Sequence, residues 1–391
     1  MKESVIVGGA RTPFGKFGGA LKDVPAVALG GSAIREAIQR SSLEPSIIEE
    51  VIMGMVLQGG AGQNPARQAA RWAGLDWSVT AETINKVCAS GLRSVTLADQ
   101  MIRSGDAEAI VAGGMESMSS APFLLPSTRW GARMGNQTTI DLMIHDGLTC
   151  PFDHVQMFVH GSQVAEEFGI SRQGQDEWAL RSHALAIEAR NKSNRAEEIV
   201  PIQVQTKNGI VSVDQDEGPR ADTNLEKLAA LPALVKGGTI TAGNAPSVND
   251  GAAAMVVMSK EKALAQGISP LATIVGHANV GERAPYIAIT PALAIQKLLR
   301  QTGLKLEQIN RFEVNEAFAA VLLTSGNLLG WNSELVNVGG GAIALGHPIG
   351  ASGARIMLTL IHELRRSGGG YGIAAICSGA AQGDAILIRV D

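Results

Sequence analysis

Four short stretches of this chain combine residue types that can do chemistry with surroundings that would hold them in place. They are Asn85-Lys86-Val87-Cys88-Ala89-Ser90-Gly91, Asn315-Glu316-Ala317-Phe318, the glycine-rich run 339–350 containing Gly346-His347-Pro348, and Ile376-Cys377-Ser378-Gly379. Each stands at the end of an apolar run among small residues. A thiol becomes a nucleophile near neutral pH when a base lies within hydrogen-bond reach, and His has a suitable pKa. Of the seven histidines, His347 has the most constrained setting, between a glycine run and a Pro-Ile-Gly helix start. Cys88 falls at a strand-to-helix turn, where unpaired N–H groups and the helix dipole favour thiolate. Taken alone, it reads as a core residue before it reads as a nucleophile, because free cysteine is among the most buried residue types. The glycine run could also be a phosphate loop or a close-packed turn. It lacks both the G-x-G-x-x-G/acidic pattern and a Walker lysine, so the turn stays open beside the catalytic reading.

The elements that must position these stretches follow from hydrophobic period and turn residues. Strands are expected over 4–7, 51–56, 82–87 and 109–112, with helices over 26–39 and from 90 onward. That alternation argues α/β with a largely parallel sheet. The texture changes from 119 to 247, where Pro122, Pro126 and Pro151 interrupt the chain. Helices over 161–168 and 172–192, and a hairpin over 199–213 turning at Lys207-Asn208-Gly209, read as an inserted loop domain. A strand over 251–258 and a helix over 260–265 return to the body. The last third repeats the first in outline: strands over 272–278, 312–314, 372–377 and 384–390, an extended run at 335–338, and helices over 291–300, 317–329 and 350–365. An echo supports duplication: Ala89-Ser90-Gly91-Leu92-Arg93 follows Cys88, and Ala351-Ser352-Gly353-Ala354-Arg355 follows His347. Two similar halves would then aim their helix N-termini at one site.

Composition bounds the partners. The 391 residues are 45% hydrophobic, enough for a large core, and the net charge of −4 gives no reason to expect nucleic acid or an acidic membrane. Three cysteines cannot all pair and show no C-x-x-C spacing, which favours free thiols in a reducing compartment and no metal. The start has no long apolar stretch, no run reaches a membrane span, and the C-terminus matches no peroxisomal address. A cytoplasmic protein is expected.

Together the four stretches resemble the thiolase family, the acetyl-CoA acetyltransferases and 3-ketoacyl-CoA thiolases. The resemblance runs nearly end to end through Arg11-Thr12-Pro13-Phe14-Gly15, Gly113-Gly114-Met115-Glu116-Ser117-Met118, Asn249-Asp250-Gly251-Ala252, Asn315-Glu316-Ala317-Phe318 and Gly346-His347-Pro348. It implies a five-layer α-β-α-β-α fold of two βαβαβαββ halves, residues 1–118 plus 248–268 and residues 269–391, with a loop domain at 119–247 for coenzyme A. It further implies homodimers or homotetramers, here a dimer of dimers, no prosthetic group, and coenzyme A and acetyl-CoA as substrates. Cys88 would accept the acyl group, His347 would take its proton, and Cys377 would move the α-proton. Asn315 would hold a water that forms one oxyanion hole with His347, and the N–H groups of Cys88 and Gly379 would form the other. Met157, Arg220, Ser247, Ala317 and Phe318 would meet the coenzyme.

The match departs from the family pattern in places. Gln156-Met157-Phe158 stands where His-Met-Gly is common, which bears on acyl preference, and a register shift could bring in His160. Pro246 replaces a serine that contacts coenzyme A in many members, and Ser247 follows it. Arg220 and Lys227 are either coenzyme contacts or solvated cations. Cys150 reads as structural. The leading expectation is condensation of two acetyl-CoA to acetoacetyl-CoA, with thiolysis as the reverse. Alternatives are thiolysis of longer 3-ketoacyl-CoA in fatty-acid breakdown and a non-catalytic acyl-CoA carrier, although carriers tend to lose part of the Cys/His/Asn/Cys set. Decarboxylating ketosynthases typically carry a second histidine where Cys377 stands.

Overall fold

A computed structural model describes residues 2–391. The first half runs β1 (Ser4–Arg11), α1 (Ala26–Ser41), β2 (Glu50–Gly54), α2 (Pro65–Trp72), β3 (Thr80–Ile84), α3 (Ser90–Ser104) and β4 (Ala109–Ser117). The chain then leaves for α4 (Met157–Glu167), α5 (Arg172–Asn191) and the hairpin β5 (Ile202–Thr206) and β6 (Gly209–Val213), and returns as β7 (Asn249–Ser259). The second half runs β8 (Ala272–Gly281), α6 (Thr290–Thr302), β9 (Ile309–Val314), α7 (Ala319–Leu329), α8 (Ser352–Arg366), β10 (Gly370–Ser378) and β11 (Gln382–Val390). β1, β4 and β7 are buried along their whole length, so their sequences show no polar–apolar alternation; helices cover both faces.

Strand order exposes the duplication. The first half-sheet is β1-β7-β4-β2-β3, with β1/β7 and β7/β4 antiparallel and β4/β2 and β2/β3 parallel. The second is β8-β11-β10-β9 in the same alternation of senses. A single parallel bridge from Phe312 to Val336 stands where the first half has its fifth strand. The extended run expected at 335–338 is therefore only this bridge, entered from a 3₁₀ turn at Ser333–Leu335. The half-sheets join at two residue pairs, Val5–Thr273 and Ile6–Ala272.

Three apolar cores define five layers. One lies between α1/α2 and the first half-sheet, and one between α6/α7 and the second. The third surrounds α3 and α8, which touch each other and both half-sheets, and it draws Leu92, Val95, Met255, Ile356, Ile376 and Ile386 together. Gly91 and Gly353 allow the crossing of α3 and α8. A Cβ on Gly91 would come 2.8 Å from the Ala354 backbone nitrogen, and one on Gly353 would come 2.3 Å from that of Leu92. The Ala-Ser-Gly echo in the sequence is thus the contact point of two related helices.

Although residues 119–247 leave the first half, α4 and α5 pack on the second. Val164 and Trp178 share a core with Phe318 and Val321. A buried ionic knot ties the far end of the segment back to β1: Arg11 donates from Nε to Glu198 at 2.9 Å and through both terminal nitrogens to Asp216 at 2.7 and 2.9 Å. Burial works against the Glu198 carboxylate, but Arg195 and Arg11 win and hold it well below the usual range. No helix among the described residues is long and apolar enough to cross a membrane.

Candidate active site

Cys88 sits two residues ahead of α3 on a backbone that side chains tie down. Val87 has φ 49°, a left-handed conformation that is an outlier for a β-branched residue. Asn85 Oδ1 accepts from the Val87 N–H at 2.9 Å. Ser90 Oγ accepts from the Lys86 N–H at 2.8 Å and donates to the Val87 carbonyl at 2.6 Å. Lys86 Nζ reaches Asp384 on β11 at 2.7 Å, joining the turn to the second half. There the loop between β10 and β11 carries two more left-handed residues, Ala380 at φ 61° and Ala381 at φ 48°. That loop packs Gly379 against Val87 and aims its N–H at the Cys88 sulfur.

His347 is 7% exposed and held on every side. Its N–H donates to Asn249 Oδ1 at 2.9 Å, and its Nδ1 lies 2.6 Å from Ser352 Oγ. Ser352 spends its one hydroxyl hydrogen on the Pro348 carbonyl at 2.9 Å, so the hydrogen between Ser352 and the ring belongs to Nδ1. Nε2 then carries the lone pair and faces Asn315 Nδ2 at 3.4 Å. Asn315 is fully buried, and its Oδ1 has no partner among the described residues.

Two carboxylates hold these loops. Glu116 accepts from the N–H groups of Val56, Leu57 and Gly350 at 3.0 to 3.1 Å, pinning the turn after His347 onto the first half. Burial raises its carboxyl to about 7 while those three N–H groups pull down. Glu316 does the same for the glycine run, accepting from Ile343 N–H at 3.0 Å, Ser182 at 2.7 Å, Trp178 at 2.9 Å and Asn337 at 3.0 Å. Ser352, Glu116 and Asn249 were missed as supporting residues. The Ala-Ser-Gly echo was the one sequence signal that pointed at Ser352.

Electrostatics set the resting state. Burial pushes the Cys88 thiol up to about 11, against the N–H groups of Gly379 and Cys88 itself. The thiolate expected from the helix N-terminus is therefore not the resting form; desolvation outweighs the dipole. Cys377 is fully buried, and burial followed by the neighbouring charge of Cys88 pushes its thiol up as well. The two sulfurs thus resist being ionised together. Burial, then the charge of Arg355, holds His347 down at about 3, leaving a neutral imidazole with a free Nε2.

Cys88 and His347 open on a cleft of about 510 Å³, lined also by Leu148, Met157, Pro246, Ser247, Ala317 and Phe318 among others. Ser247 also borders a second hollow, lined with Lys16, His183 and Arg220. Met157, Ser247, Ala317 and Phe318 line the cleft, and Arg220 lines the second hollow. Lys227 lies on neither and pairs with Asp222 at 2.9 Å. Burial, then the charge of Arg220, lowers His183 to about 4, and its Nδ1 accepts from the Arg220 N–H at 3.2 Å. Neither Gln156 nor His160 borders the cleft; His160 bonds Asp153 at 3.0 Å instead, so no register shift brings it in.

A duplicated α/β body with a thiol at one helix start, an imidazole just before its counterpart and a second thiol near the first defines a class of cysteine-dependent acyl-transfer fold. Residues 4–261 match the thiolase N-terminal domain and residues 268–390 the thiolase C-terminal domain. The chain belongs to the thiolase family. Over 393 residues it is 47% identical to an acetyl-CoA acetyltransferase of Pseudomonas aeruginosa, covering all of both chains. It is 48% identical over 391 residues to one of Escherichia coli, covering 100% of this chain and 99% of the relative. The crystal structure of the Bacillus anthracis acetyl-CoA acetyltransferase superposes with a TM-score of 0.98 at 43% identity, over 100% of this chain and 99% of that one.

Proposed function

We propose that this protein is an acetyl-CoA C-acetyltransferase that condenses two acetyl-CoA to acetoacetyl-CoA and coenzyme A, and runs the reverse thiolysis. The observation that carries this reading is that Cys88 and His347 line one cleft, with Asn315 buried against the His347 ring and Cys377 buried near enough to Cys88 to feel its charge. Cys88 attacks the first thioester as His347 Nε2 takes its proton, and Cys377 gives its own proton to the departing coenzyme A sulfur. The Cys377 thiolate then removes an α-proton from the second acetyl-CoA. The enolate oxygen is met by the His347 Nε2–H and by a water on Asn315. The enolate carbon attacks acetyl-Cys88, whose tetrahedral oxygen is met by the N–H groups of Cys88 and Gly379. Cys88 leaves and recovers its proton from His347, so every proton is returned. Because the two sulfurs resist ionising together, acylating Cys88 first frees Cys377 to become the base.

Leu148, Met157, Ile287, Phe318 and Ile349 crowd the cleft around the thiol, which favours a two-carbon acyl group. Comparing thiolysis of C4, C8 and C12 3-ketoacyl-CoA tests this: kcat/KM should be highest at C4, and a maximum at C8 or C12 would assign the protein to longer chains in fatty-acid breakdown. The reading places the protein in the cytoplasm as a tetramer, a dimer of dimers. The edge strand β3 has a single strand neighbour among the described residues, and Phe123, Trp130 and Met134 stand exposed on the inserted segment. Light scattering should give the mass of four chains.

A further inference from the structure

Outside the cleft, a second group of ligand-type side chains gathers at the entry to α4. Cys150 Sγ, a carboxylate oxygen of Asp153 and a ring nitrogen of His160 lie within 4.8 Å of one another. Backbone bonds close the turn that assembles them: the Cys150 N–H donates to the Val155 carbonyl at 2.8 Å, and the His154 N–H to the Cys150 carbonyl at 2.9 Å. Cys150 is fully buried and His160 is 1% exposed, whereas the Asp153 side chain stands open on the turn. His160 Nε2 meets Asp153 Oδ2 at 3.0 Å, which leaves Nδ1 buried without a partner among the described residues.

We propose that Cys150, Asp153 and His160 form a binding site for a zinc-class divalent cation. Zinc bonds of about 2.0 to 2.3 Å at tetrahedral angles need ligand atoms roughly 3.3 to 3.8 Å apart, a small contraction from the spacing here. Asp153, on an open turn, is free to move aside from His160 as the ion enters. A thiolate, an imidazole and a carboxylate suit zinc and its neighbours, whereas magnesium and calcium take oxygen alone. The fourth position faces solvent beside Asp153 and takes a water. On binding, the Cys150 S–H bond breaks, a metal–sulfur bond forms and the proton passes to solvent. The C-x-x-C spacing missing from the sequence is replaced here by the closed turn and the first helical turn after it. Gly147 and Leu148 before the turn and Met157 after it border the acyl cleft, so the ion would clip together two parts of that wall.

Full-length protein stripped with a chelator and titrated with cobalt(II) alone tests the site. One equivalent per chain should bind with a thiolate-to-metal charge-transfer band that zinc then abolishes. Cys150→Ala should remove the band, and Asp153→Asn, on the exposed turn, should weaken binding by about tenfold or more. A Cys88→Ala/Cys377→Ala double variant should keep the band, which separates this site from the catalytic thiols. Absence of stoichiometric binding, a band that survives Cys150→Ala, or a band lost with the catalytic pair would each overturn the proposal. If Cys150→Ala does not fold, Asp153→Asn decides, and unchanged cobalt affinity in that variant counts against the site.

Discussion

At pH 7 Cys88, although only part-buried, keeps its proton, and the buried His347 lacks one, because desolvation is the largest influence on each. With burial holding His347 at about 3, formation of acetyl-Cys88 should be insensitive to pH between about 5 and 7, as the base stays unprotonated throughout. Pre-steady-state acylation over that range is the check, and an inflection near the ordinary histidine value would mean that His347 is solvated. The same shift bears on stability. Its pKa in the unfolded chain is about 6.5, so between about 6.5 and 3 the unfolded state binds the extra proton. The contribution of this group to stability is full above that window and is lost as pH falls through it. Cys88, His347, Asn315 and Cys377 could be read from the sequence because each lies inside a motif. Glu116 also lies in a motif, but its role could not be read there, because its work is a contact with Gly350, 234 residues away.

Among the elements, the turns do more to place the reactive atoms than the helices that follow them. Val87 and the Ala380–Ala381 pair each hold a left-handed backbone of a kind that costs about 1 to 3 kcal/mol per residue, and both flank the sulfur of Cys88. Sequence could not reveal them, since neither Val nor Ala advertises positive φ. Strand periods were legible only approximately. The third strand expected at 82–87 is Thr80–Ile84, and the residues after it belong to the strained turn. The helical echo was legible, but its meaning came only from the crossing of α3 and α8. Gly353→Ala should destabilise the protein by about 1 to 3 kcal/mol, because the new methyl meets the backbone of Leu92, which cannot rotate away. A lowered urea midpoint with an unchanged slope would support this, and an unchanged midpoint would mean that the helices can part at no cost.

Across the whole molecule, each half supplies what the other lacks. The first contributes Cys88 and the Asn249 that fixes the His347 backbone; the second contributes His347, Asn315 and Cys377. The inserted segment departs from the first half and packs on the second, so it roofs the junction between them. Its packing could not be foreseen from the chain order, since insertion point and docking surface lie on different halves. The division of labour between the two thiols is the central claim, and intact-protein mass spectrometry after incubation with acetyl-CoA tests it most directly. The native protein and Cys377→Ala should both gain one acetyl group while Cys88→Ala gains none, and Cys377→Ala should release almost no acetoacetyl-CoA. An acetyl group on Cys88→Ala at the same site, or undiminished condensation by Cys377→Ala, would contradict the account.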